Sequence, residues 1–173
     1  FHFEVVGDLL TNDLLDFLET VPKGMFQFEL GVQTTDQSSQ EKIKRKQNNK
    51  KLFSAIERLI SSNLIHIHCD LIFGLPGETL DDVLKSFEEV CMLRPHELQL
   101  GFLKFLPGAP IKEIIDDHGY KYQSTPPYEF ISNNDLSASQ LNYLKKFEEV
   151  FDIFYNSKRF RFTVQRLLKK LSA

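Results

Sequence analysis

Cysteine is scarce. The 173 residues include only Cys69 and Cys91, too few for a disulfide framework, which argues for a reducing compartment and predicts a cytoplasmic protein. No apolar run approaches the roughly 18 residues of a membrane span. Phe1-His2-Phe3-Glu4-Val5-Val6 lacks the basic leader of a secretory signal. A charge excess is missing too: 21 Lys and Arg stand against 24 Asp and Glu, net −3, a balance that points away from nucleic acid or membrane as partner. The chain has no initiator Met and opens directly on a strand pattern, as expected of a piece of a longer protein. What is present is an ordinary globular mixture, 42% hydrophobic and 26% charged. At this length about 70% of the extended-chain surface can be buried.

Strands and helices alternate along the first two thirds. Phe1 to Val5 alternates apolar and polar, and Leu10, Leu14, Phe17, Leu18 and Val21 then repeat at helical spacing up to Pro22 and Gly24. Phe26 to Gln33 alternates again, and a basic stretch from Thr34 to Lys51 leads to a helix with Leu52, Phe53, Ile56, Leu59 and Ile60 on one stripe. A third strand is predicted over Ile65 to Phe73, followed by the turn Gly74-Leu75-Pro76-Gly77 and a helix opened by a Thr79–Asp82 capping box. A fourth strand is predicted over Leu98 to Leu106 and a short helix over 110–118. Beyond Gly119 the pattern changes: a stiff Thr125-Pro126-Pro127, a short strand at Tyr128 to Ile131, a long helix capped by Ser137 and Gln140, and a basic terminal helix.

Four such alternations imply parallel strands with helical crossovers. Parallel strands covered on both faces read as continuous apolar runs, and these do not. By parity one face collects His2, Glu4, Gln27, Glu29, Gln33, His66, His68, Asp70 and Gln99, while the other is Phe, Leu, Ile and Val. The apolar face packs on helices, so the polar face lines something wet or filled. A barrel with a ligand-lined interior meets that condition; the alternative is a solvated face of an open sheet.

Several residues could carry chemistry. His66 and His68 lie on one side of a strand, a spacing that suits a divalent metal or, more plainly, two polar residues bonded to neighbours. The Gly74–Thr79 turn could bring backbone close to a ligand at the strand ends, but it lacks the GK[ST] ending of a nucleotide loop. The Lys and Arg between Lys42 and Lys51 read mostly as a solvated face, and the two cysteines as small core residues with no cluster or zinc site encoded.

Phe28-Glu29-Leu30-Gly31-Val32-Gln33, Ile43-Lys44-Arg45, Asp70-Leu71-Ile72-Phe73-Gly74-Leu75-Pro76-Gly77-Glu78-Thr79 and Leu106-Pro107-Gly108-Ala109-Pro110, in that order and spacing, resemble the radical S-adenosylmethionine (SAM) superfamily. The resemblance implies an α/β fold: the last four βα units of a six-unit partial (β/α) barrel over residues 1–118, with a mainly helical C-terminal extension over 119–173. The tail, with Pro126-Pro127-Tyr128-Glu129 and Tyr155-Asn156-Ser157-Lys158-Arg159-Phe160, is similar to the cobalamin-binding-domain subgroup often labelled magnesium-protoporphyrin IX monomethyl ester oxidative cyclase.

By resemblance to oxygen-independent coproporphyrinogen oxidases, the motifs imply SAM contacts. Glu4 would face the methionyl amino group and Arg45 the methionyl carboxylate. Gln33 and Asp70 would bind the ribose, Ile72 would touch adenine, and the backbone at Lys104 and Phe105 would bond its edge. The family's CxxxCxxC loop is not in this sequence, so the chain is expected to be inactive alone and at best a weak SAM binder. The implied parent would cleave SAM reductively at a [4Fe–4S] cluster, with cobalamin possible, and act on a small-molecule substrate with the missing N-terminal half of the same protein. Two alternatives are a metal-dependent hydrolase using His66 and His68, and a non-enzymatic assembly module built on the tail. The open barrel edge left by the missing strands predicts self-association as a homodimer.

Overall fold

The computed structural model describes residues 1–171. Its centre is a four-stranded parallel sheet in the order β1 (His2–Val5), β2 (Gln27–Gln33), β3 (His66–Phe73), β4 (Glu97–Phe102). Helices α1 (Asn12–Leu18), α2 (Gln37–Lys42), α3 (Asn49–Ser62) and α4 (Leu80–Met92) fill the crossovers. Alternation along the strands decides which side packs. Phe28, Leu30 and Val32 of β2, Ile67, Cys69, Leu71 and Phe73 of β3, and Leu98 and Leu100 of β4 are all buried, against Leu52, Ile56 and Leu59 of α3 and Val83 and Val90 of α4. The residues between them are only partly covered. This is the expected α/β partial barrel, one face apolar and one polar.

The helix starts follow local chemistry. Thr79 and Asp82 close the capping box of α4, and Asn48 caps α3 by accepting from Lys51 N–H. Helix α2 lies within the basic stretch from Thr34 to Lys51, for which no helix was expected. Asp36 Oδ2 accepts from Ser39 N–H at 2.6 Å to start it, a cap hidden by the charge run that follows. In α1 the core-facing residues are Leu15 and Leu18, whereas Leu14 and Phe17 of the expected stripe are exposed.

The remaining departures lie where the chain leaves β4. That strand ends at Phe102 rather than Leu106, because Leu103 changes partners. Its N–H still donates to Phe73 O at 3.0 Å, but its carbonyl accepts from Phe130 N–H at 3.0 Å. Phe130 belongs to β6 (Phe130–Ser132), antiparallel to β5 (Lys121–Tyr122), and a bridge between Lys104 and Glu129 ties this hairpin to the β4 exit. The strand expected at Tyr128 starts two residues later, since Tyr128 has a left-handed φ of 59°. The helix expected over 110–118 is a 3-10 turn, Pro110–Ile114.

The C-terminal extension shares the core of the sheet. Tyr120, Phe130, Leu136, Leu141 and Leu144 join the same buried cluster. Helix α5 (Ala138–Phe151) sets Phe147 and Phe151 edge-on against Phe87 of α4. A π-helical segment, Asp152–Asn156, then meets the outer edge of β4, where Asn156 accepts from Leu98 N–H at 3.1 Å and donates to Leu98 O at 3.0 Å. A strand edge needs such partners or it invites pairing with another chain. Helix α6 (Arg161–Leu171) follows. Among the described residues no helix is long and apolar enough to cross a membrane.

Candidate functional site

The polar face is organised around Gly31. A Cβ built there would lie 3.2 Å from the Gln33 Nε2 and 3.9 Å from an Arg45 guanidinium nitrogen. The glycine therefore leaves the space into which both side chains reach. Its partner across the sheet is Asp70. Gln33 and Arg45 thus reach over Gly31, and Asp70 lies across from it on β3, on the same face of the sheet.

Gln33 reaches that face in an unusual way. The β2–β3 register slips between Gly31 and Gln33. Gln33 has φ +67°, and Thr34 N–H donates to Val32 O at 2.8 Å, a γ-turn of the strained, left-handed kind. Strain of this type persists only where the surroundings enforce it. Here amide side chains hold the carbonyls on either side. Gln40 Nε2 donates to Thr34 O at 2.8 Å, Gln47 Nε2 to Val32 O at 3.2 Å, and Asn49 Nδ2 to Thr35 O at 2.8 Å. Arg45 donates to Gly31 O and, through Nε, to Gln47 Oε1 at 2.8 Å. Burial lowers the Arg45 pKa from its ordinary value, with Asp8 opposing.

Asp70 is set in a row of imidazole–carboxylate pairs. His2 Nε2 lies 3.2 Å from Glu29, and His66 Nε2 lies 3.4 Å from Glu97. His68 Nε2 lies 3.1 Å from Asp70 Oδ1 as an ion pair, and neither of these buried atoms makes a hydrogen bond among the described residues. The Asp70 carboxylate raises the His68 pKa above its ordinary value, against the effect of burial, with Glu29 and Glu97 adding to it. Among the described residues no group of three His, Cys, Asp or Glu could hold a metal ion. The His66–His68 pair is thus tied to carboxylate neighbours rather than completed as a metal centre.

The other expected contacts fall along the same wall. Glu4, exposed on edge strand β1, sits directly opposite Glu29. Ile72 is two residues beyond Asp70 and faces Gly101 of β4, so no side chain competes for the surface beside it. Phe105 is fully buried against Tyr120 and Tyr122, and its N–H donates to Tyr128 O at 2.8 Å. Because the Lys104–Glu129 bridge is made by the bonds of their neighbours, Lys104's own N–H and carbonyl turn the other way. A cleft of about 410 Å³ opens lower on the wall, lined by His68, Glu97, Gln99, Glu148, Asp152 and Asn156.

The amides Gln40, Gln47 and Asn49 and the buried Thr34, Glu78 and Ser86 escaped the sequence reading. The run Gln47-Asn48-Asn49 carries the signal, set among lysines that mark a solvated face.

A one-sided parallel sheet whose polar wall carries an amide, a guanidinium and a half-buried carboxylate defines an α/β partial-barrel fold. The chain belongs to the radical SAM superfamily, whose family model matches residues 1–90. A second model, described as a protein of unknown function (DUF4080), matches residues 116–173. The chain is 31% identical over 101 residues to the heme chaperone HemW of Buchnera aphidicola subsp. Acyrthosiphon pisum, covering 57% of this chain and 26% of that protein. It is 31% identical over 84 residues to the oxygen-independent coproporphyrinogen III oxidase of Pseudomonas aeruginosa, covering 49% and 18%. The structure resembles coproporphyrinogen III oxidase (HemN) from Escherichia coli, a radical SAM enzyme, with TM-score 0.61 and 20% identity over 87% of this chain and 31% of that one. It also resembles the radical SAM methyltransferase TsrM from Kitasatospora setae, with cobalamin and a [4Fe–4S] cluster bound, at TM-score 0.57 and 12% identity over 73% and 26%. The chain spans about a quarter of the HemW relative.

Proposed function

We propose that this chain is the SAM-binding wall of a radical SAM enzyme. The observation that carries the reading is that Gln33 and Arg45 reach over Gly31 with Asp70 across from it on β3, its buried Oδ1 making no hydrogen bond among the described residues although His68 Nε2 lies 3.1 Å away. A buried acceptor without a donor is costly, and a ribose hydroxyl would satisfy it. Gln33 would bond the same ribose and Arg45 the methionyl carboxylate. Glu4 beside Glu29 would attract the methionyl ammonium, since like charges directly opposite on a sheet repel until a cation intervenes. Ile72 beside Gly101 would offer adenine a flat apolar surface, and Lys104 its backbone edge.

The [4Fe–4S] cluster would supply the electron that cleaves bound SAM. Cys69 and Cys91 do not fit as its ligands: both are buried, and burial pushes their thiols up to about 12 and about 11. This chain's part is to hold the nucleoside in a reactive geometry. Cobalamin appears in the distant TsrM structure, whose 12% identity supports the fold alone, and the cyclase label expected from the tail has no support among the curated relatives, which are of the HemN and HemW type. Their tetrapyrrole chemistry is not transferred either. Glu97, Glu148 and Asp152 line the cleft with His68 as the one basic group among its lining residues, and a polyanionic tetrapyrrole such as coproporphyrinogen would be repelled there. A neutral or cationic small molecule suits that cleft.

The test is SAM cleavage to 5′-deoxyadenosine by the reconstituted parent. Asp70→Ala and Gln33→Ala are each expected to lower it by about ten- to a hundredfold, the weight of one hydrogen bond to a charged or buried group. Wild-type rates in both variants would remove the assignment.

A further inference from the structure

The turn that presents Gln33 is fastened from behind by a buried acid. Glu78, in the loop after β3, is 1% exposed, and Thr34 Oγ1 donates to its Oε1. The same Thr34 oxygen accepts from Asp36 N–H at 2.9 Å. Ser86 of α4 lies 3.4 Å from it and 3.0 Å from the Thr35 hydroxyl, and accepts from Thr35 N–H at 3.2 Å. The second Glu78 oxygen, Oε2, is buried without a hydrogen-bond partner among the described residues. A buried carboxyl that spends one oxygen on a threonine and leaves the other bare is a poor choice for stability alone. The residue it grips is the one that follows the left-handed Gln33.

We propose that Glu78 is a positioning residue that acts through Thr34 to hold the γ-turn at Gln33, and so the aim of the Gln33 amide across the polar wall. Gln33 needs this restraint because a non-glycine residue at φ +67° relaxes when the chain after it is released. Gln40 and Gln47 hold the carbonyls of the turn from the α2 side; Glu78 and Ser86 hold the Thr34 and Thr35 hydroxyls from the α4 side. What Gln33 aims at rests on the SAM reading above, whereas the clamp itself does not.

Amide hydrogen exchange on this chain tests the clamp, because Thr34 N–H closes the turn. Glu78→Leu and Thr34→Val should each speed exchange at Thr34 by about tenfold, the weight of one buried hydrogen bond, with the Ile67 and Leu71 amides unchanged. Glu78→Gln, which keeps an acceptor for the threonine hydroxyl, should restore slow exchange. Thr34→Val, nearly the same shape, carries the test should Glu78→Leu not fold. Unchanged exchange at Thr34, or a Gln variant that behaves like the Leu variant, overturns the clamp. A parallel titration with SAM separates the two readings. SAM shifting the Gln33 resonances of the wild type, with affinity lost in Thr34→Val and kept in Glu78→Gln, supports the link. No shift in the wild type defeats the SAM reading and with it the aim assigned to Gln33, while the exchange data still decide the clamp.

Discussion

Replacing Gly74 by alanine is expected to destabilise the chain by about 3 kcal/mol, enough to consume much of a small domain's stability. Two effects add. Gly74 has φ +92°, a conformation that costs an L-residue about 1–2 kcal/mol. A Cβ there would also stand 2.1 and 2.2 Å from the Cζ and Cε1 atoms of Phe130. That ring cannot step aside. Phe130 is buried, packs edge-on against Tyr120, and lies on the strand whose N–H bonds Leu103. Tyr120 in turn donates to Gly74 O at 2.9 Å. Gly108→Ala supplies the reference, since its φ is +79° with nothing within 4 Å of the new atom, so it bears the backbone cost alone. Urea unfolding of the two variants should differ by about 1–2 kcal/mol. Equal losses would mean that Phe130 does not sit under the Gly74 turn, and that the extension is not seated on the sheet as described.

That seating was only partly legible in the sequence. The strands were, because a period of two leaves a mark at every position: Phe28, Leu30 and Val32 point one way, Gln27, Glu29 and Gln33 the other. The placing of Gln33 and Asp70 on one face followed from the same parity. It survived a register slip that parity could not foresee, because the left-handed turn at Gln33 returns its side chain to the polar face. The end of β4 was not legible, since Leu103 leaves its neighbour for Phe130, a choice made 27 residues away in sequence and set by tertiary packing rather than propensity. Helix α2 was not legible because a run of lysines and arginine from Lys42 to Lys51 carries the mark of a solvated face, which hides the amides that hold Gln33. Glu78 was the least visible of all. A glutamate beside glycine in a turn reads as solvated, and only the packing of Thr34, Ser86 and the Gly74–Gly77 loop around it makes it a core residue.

The burial of Glu78 also sets how stability should vary with pH. Loss of solvent raises its pKa to about 8 from an ordinary 4.5. Asp36 and Asp82 push the same way, and the Thr34 hydroxyl and the Leu75 backbone bond push back. Lys42, whose Nζ comes close to Gly77, is the cation on that side. A carboxyl whose folded value lies above its unfolded one binds its proton more tightly when folded. Its contribution is therefore whole below about pH 4.5 and drains away as pH rises through about 8. The slope approaches 1.4 kcal/mol per pH unit in between, about 3–5 kcal/mol in all. His68, also raised, acts in the same sense, while His96, lowered by burial and by His66, opposes it near its own titration. The difference between wild type and Glu78→Gln cancels both. That variant should gain about 1 kcal/mol on the wild type for each pH unit between 5.5 and 7.5 and level off beyond about 8, measured by urea unfolding at each pH. A difference flat across that range would mean a carboxylate ionised throughout. The bare Oε2 would then have to be paired with a cation, and Lys42, beside Gly77, would be the first to test.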